Sequence, residues 1–82
     1  MATKKPKLSK TEQALIDQLF IGQAHETVRN PYSGDSVELN PTEVALYDYI
    51  KGCERIGNGT KMQKGLTIFR KLNASAYMTL LD

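Results

Sequence analysis

Asn40-Pro41-Thr42-Glu43, at the midpoint of the 82-residue chain, constrains the fold more than any other segment. An asparagine side chain can cap a helix, and proline loses nothing at the first helical position. Glutamate at the third helical position completes the signal. A helix is therefore expected over residues 41–56, with Val44, Leu46, Tyr47, Ile50 and Cys53 spread over a wide apolar face. Gly52 weakens its later turns by up to about 1 kcal/mol relative to alanine. Gly57-Asn58-Gly59 then ends it, through residues that tolerate positive φ.

Three more helices follow from similar reasoning. Ser9-Lys10-Thr11-Glu12 is a capping box, and Leu15, Ile16, Leu19 and Phe20 form one apolar stripe, predicting a helix over about residues 10–24. Thr60-Lys61-Met62-Gln63 is a box of the T-x-x-Q kind. The helix after it, about 61–72, carries Met62, Leu66, Phe69 and Leu72 on one side. Asn73 breaks or caps again, and residues 74–81 make a last short helix with Ala76, Tyr77, Leu80 and Leu81 apolar.

Residues 26–39 differ in character. Thr27-Val28-Arg29 and Ser36-Val37-Glu38-Leu39 lean towards β structure, and Asn30-Pro31-Tyr32-Ser33-Gly34-Asp35 between them is dense in turn formers. Val37 and Leu39 alternate with polar neighbours, as one half-buried face requires. The segment reads as a β-hairpin or an ordered Ω-like loop that must lean on the helices. The fold expected is mainly α, three to four short helices with a β-hairpin-like insert near 26–39. Residues 1–9 form a basic disordered tail and residues 10–82 a single small helical domain.

Hydrophobic residues make up 40% of the chain and charged residues 24%, a soluble globular composition. No apolar run approaches the roughly 18 residues needed to span a bilayer, and no signal-peptide core follows the basic start, so a cytoplasmic protein without membrane contact is expected. One cysteine excludes an internal disulfide and any multi-cysteine metal site. The net charge of +2 is unevenly spread. Residues 1–10 carry +4, residues 11–59 carry −5 and residues 60–82 carry +3. The tail lysines Lys4, Lys5 and Lys7 suit docking on phosphate or on an acidic protein, or simply solubilise the terminus.

Catalytic chemistry is poorly supplied. His25-Glu26 begins a metalloprotease pattern, but Arg29 stands where the second histidine belongs and the chain has no other. His25 is expected near the carbonyls at the end of the first helix. Cys53, on the apolar side of its helix, reads as a small buried hydrophobe. Asp17, Glu43 and Asp48 show no pairing that general acid–base work would need. No cofactor, metal site or enzymatic activity is expected.

Gly57, Asn58, Gly59, Thr60 and Lys61 are the candidate anion-binding cluster, because glycines can turn backbone N–H groups towards an anion at a helix start. The P-loop spacing is absent, and a plain turn between helices explains the same residues. Helices 41–56 and 61–72 also permit a helix-turn-helix reading, with Lys61, Lys64, Arg70 and Lys71 joining the tail lysines as nucleic-acid candidates. Against it stand a long turn, the acids Glu43, Asp48 and Glu54 on the first helix, and Gln63 standing nearly alone as a base reader. Asn58-Gly59-Thr60 and Asn73-Ala74-Ser75 match the glycosylation sequon but read as helix caps. Tyr47 and Tyr49 lie about 200° apart on a helix, so both cannot share one buried face. With Tyr32 and Tyr77 they are the candidate protein-contact residues.

The segments Asn30-Pro31-Tyr32-Ser33-Gly34, Leu39-Asn40-Pro41, Tyr47-Asp48-Tyr49-Ile50, Phe69-Arg70-Lys71 and Ala76-Tyr77-Met78-Thr79-Leu80-Leu81-Asp82 resemble those of small uncharacterised accessory proteins of tailed bacteriophages. The resemblance covers about residues 12–82 and carries over no activity or site residue. It implies a setting, the cytoplasm of a bacterial host cell, and action by binding a host protein, nucleic acid or signal nucleotide. The expectation is a non-enzymatic, oligomeric binding protein acting on a bacterial protein partner, in host modulation or counter-defence. A nucleic-acid-binding regulator is the alternative, and a nucleotide-sequestering oligomer the third reading.

Overall fold

The computed structural model describes residues 8–19 and 21–81. The expected basic tail, with Lys4, Lys5 and Lys7, lies almost wholly outside the described residues. The chain is mainly helical with a two-stranded antiparallel hairpin. Its elements run α1 (Lys10–Gln18), β1 (Glu26–Arg29), β2 (Ser36–Leu39), α2 (Pro41–Ile56), α3 (Gly59–Leu72) and α4 (Ala74–Leu80).

Helix α1 starts as its capping box dictates. The Ser9 hydroxyl accepts from the Glu12 N–H at 3.1 Å, and the Glu12 carboxylate accepts from the Ser9 N–H at 2.8 Å. It ends earlier than residue 24, because Leu19 is already extended at φ −77°, ψ 146°. Residues 21–25 are all exposed and include Gly22, so no packing repays a further turn of helix. His25 consequently does not sit at a helix end. It lies just before β1, with Nδ1 3.9 Å from the Glu38 carboxylate, both side chains largely exposed.

In the hairpin, Val28 pairs with Val37 and Glu26 with Leu39. Opposed residues share a face, so Val28, Val37 and Leu39 all turn towards the helices, and Leu39 is fully buried. The loop is tied by backbone bonds from Asn30 N–H to Asp35 O (2.7 Å) and from Gly34 N–H to Asn30 O (2.8 Å), with Gly34 at φ 82°. It is also anchored to the far end of the chain. The Asn30 side-chain amide donates to the Thr79 carbonyl of α4 at 2.9 Å, while its oxygen accepts from the Tyr32 N–H at 2.8 Å.

Helix α2 occupies its expected span. Its end is a Schellman motif around Gly57 (φ 75°): Gly57 N–H donates to Glu54 O and Asn58 N–H to Cys53 O. Only Gly57 and Asn58 separate α2 from α3, fewer residues than the sequence suggests. Asn58 rather than Thr60 caps α3, accepting from the Lys61 N–H at 3.1 Å, so α3 begins at Gly59. Asn73 closes α3 and caps α4, accepting from the Ala76 N–H at 3.0 Å. Leu46, Ile50, Ile68, Phe69 and Ala76 fill the centre with Leu39. The approach of α2 to α3 depends on Gly65, where a Cβ would lie 2.8 Å from Ile50 Cγ1.

Candidate functional site

A groove of about 550 Å³ opens between α1 and α3, with Tyr49 of α2 reaching it from below. Three features shape it. The Glu12–Lys71 ion pair, at 2.9 Å, draws the start of α1 across the end of α3. Ile16 of α1 is buried in the core, fixing the helix's inner face. Gly65 leaves α3 without a side chain at its crossing with α2, and the Tyr49 ring lies 3.4 Å from where its Cβ would be. Leu15 and Ile68 add apolar wall, while Lys61 and Lys64 carry the charge.

Two titrating groups there depart from their ordinary values. The Glu12 carboxyl is held below the usual carboxylate range, first by the Ser9 backbone N–H and then by the Lys71 ammonium. Burial pushes the Tyr49 phenol up, helped by the Cys53 thiol beside it, so the phenol stays neutral.

The anion-binding cluster becomes mostly cap. The N–H groups of Gly57 and Asn58 serve α2 carbonyls, that of Lys61 serves the Asn58 side chain, and that of Gly59 meets Gly57 O at 3.2 Å. Gly57, Gly59 and Thr60 are exposed and do not line the groove; of the five residues, Lys61 alone does, through its side chain.

The basic residues of α3 separate. Lys61 and Lys64 line the groove, Lys71 is engaged by Glu12, and Arg70 stacks 5.9 Å from the centre of the Tyr77 ring. The tyrosines separate too. Tyr47 is half-buried, 6.4 Å from Phe69 between ring centres, with Lys51 over its outer face at 5.8 Å. Tyr49 is half-buried in the groove, and Tyr77 is half-buried on α4. Tyr32 is 97% exposed at the anchored hairpin loop. Met78, the neighbour of the Thr79 carbonyl that holds this loop, is 66% exposed.

Cys53 is buried, as its helix position predicts, and among the described residues no hydrogen bond links it to His25. Among the described residues no group of three or more His, Cys, Asp or Glu side chains could hold a metal ion. Among the same residues no helix is long and apolar enough to cross a membrane. The groove itself is not visible in the sequence. Glu12 and Lys71 are 59 positions apart, and the single local hint is a glycine on the inner side of α3. The groove offers positive charge and a neutral aromatic floor, and the hairpin loop, apart from it, offers an exposed aromatic side chain.

Comparison of the chain with protein-family models, with curated proteins and with solved structures gives no match.

Proposed function

We propose that the chain is a non-enzymatic binding protein that engages a protein partner in a bacterial cell, in keeping with its resemblance to bacteriophage accessory proteins. The hairpin loop makes the contact. The supporting observation is that Tyr32 is almost completely exposed on a loop whose geometry is already fixed by Asn30. A large aromatic side chain held on an ordered loop binds with little further loss of entropy, which is how interface anchors act. Ile56, 74% exposed at the end of α2, suits self-association of the same protein.

A photo-crosslinking amino acid at position 32, introduced in bacterial cells, tests this reading. It predicts covalent capture of one discrete protein, and loss of that protein from co-purification with Tyr32→Ala at unchanged Tm. Diffuse crosslinking, or the same co-purifying proteins with and without Tyr32, would defeat it.

A further inference from the structure

The groove between α1 and α3 uses none of the residues of the hairpin contact, so its role stands or falls separately. Three charged side chains line it: Glu12, Lys61 and Lys64. Glu12 is already matched by the Ser9 N–H and Lys71, whereas Lys61 and Lys64 form no ion pair among the described residues. The charge left for a visitor is therefore positive. Beneath it, Leu15, Ile68 and the Tyr49 ring offer an apolar, partly aromatic floor, and the neutral phenol opposes no anion. The Gln63 side-chain amide, on the same wall, has no hydrogen-bond partner among the described residues. It can both donate and accept.

A purely apolar visitor would leave two lysines unmatched, and a bare inorganic anion would leave the floor empty. A duplex cannot follow α3 into a concavity that α1 walls on one side. The volume lies within the roughly 300–1,000 Å³ of ordinary small-ligand sites. We propose that this groove binds an aromatic organic anion of the nucleoside monophosphate class. The phosphate lies on Lys61 and Lys64, the base lies against Tyr49, and Gln63 meets the base edge.

The test titrates the full chain with the four common nucleoside monophosphates, with adenosine and with inorganic phosphate, followed by thermal shift and amide NMR. At least one nucleotide should raise Tm and move the resonances of Tyr49, Lys61 and Lys64. Adenosine and phosphate should each bind at least about tenfold more weakly than that nucleotide. Lys61→Ala/Lys64→Ala alters two exposed side chains, so it should fold normally and lose about tenfold or more in affinity. Three results would overturn the proposal: no response to any nucleotide at millimolar concentration, equal binding of phosphate alone, or full affinity in the folded double variant.

Discussion

The Asn73 side-chain amide donates to the buried Glu43 carboxylate at 3.3 Å, joining the start of α2 to the junction of α3 and α4. Glu43 is also half of a capping box. Its other oxygen accepts from the Asn40 N–H at 3.0 Å, and its own N–H donates to the Asn40 side chain at 2.9 Å. Asn73 in turn caps α4. One polar pair thus sets where three helices begin or end, and among the described residues no buried side-chain nitrogen or oxygen is left without a partner.

Removing either side chain should therefore cost more than a surface cap. Glu43→Ala is expected to lower stability by about 1–3 kcal/mol, since it strands the Asn40 N–H and the Asn73 amide. Asn73→Ala should cost about 1–2 kcal/mol through the lost cap and the lost bond. The two changes should be non-additive by about 0.5 kcal/mol or more in a double-mutant cycle followed by urea unfolding. Strict additivity would mean the 3.3 Å contact carries no energy.

The same substitution should act in opposite directions at two glycines. At Gly65 a methyl group would meet Ile50 Cγ1 at 2.8 Å, and Ile50 is fully buried with a branched stem that cannot swing aside. Overpacking of this kind costs about 1–3 kcal/mol, more than the helix propensity gained. At Gly52, within α2, nothing lies within 4 Å of a new Cβ. Gly52→Ala should stabilise by about 0.5–1 kcal/mol. Thermal unfolding of the two variants checks both signs.

These contrasts also mark what was legible in the sequence. The boxes at Ser9 and Asn40 act within one turn, so both helix starts could be placed from the residues alone. The alternation of Val37 and Leu39 likewise gave the buried face of β2. The end of α1 was not legible, because it is set by where packing stops rather than by a capping residue. The start of α3 is ambiguous in the sequence because two residues there, Asn58 and Thr60, can cap a helix. Asn58 takes the cap, its side chain accepting from the Lys61 N–H directly after left-handed Gly57. The groove was hidden for a different reason. It depends on Glu12 meeting Lys71 and on Tyr49 settling against Gly65, and neither approach leaves a local pattern.

One side chain ties the hairpin loop to α4, so Asn30→Ala should loosen it selectively. The variant loses the bond to the Thr79 carbonyl and the acceptor for the Tyr32 N–H. About 1–2 kcal/mol of stability should go with them. Amide exchange of residues 31–36 should quicken while that of α2 and α3 follows only the global change. Uniform acceleration across the chain would show that the loop is held by other contacts.

Acid should weaken the cap of α1 and its tie to α3. Glu12 has its pKa lowered in the folded state, so its contribution is present above the unfolded value, about 4.3. It is lost as pH falls through the lower folded value. The NMR signals of α1 should therefore shift below about pH 4. Lys71→Gln should move the Glu12 midpoint upwards, but not all the way, because the Ser9 N–H is the larger cause. A midpoint indifferent to Lys71 would remove the ion pair from the account, and high salt should mimic the substitution in part.

Alkali should act at the floor of the groove. Tyr49 has its pKa raised, so the folded state holds the phenolic proton more tightly than the unfolded chain does. Its contribution is complete below the unfolded value, about 10, and is lost as pH rises through the higher folded value. The ultraviolet tyrosinate titration should contain a late step that Tyr49→Phe abolishes. Burial is the larger cause and the neighbouring thiol the smaller, so Cys53→Ala should lower that step without restoring it to the ordinary value. If the step sits at the ordinary value in the wild-type chain, the ring is wetter than its packing against Gly65 requires. An open, hydrated ring would also be a poor floor for the base of a bound nucleotide.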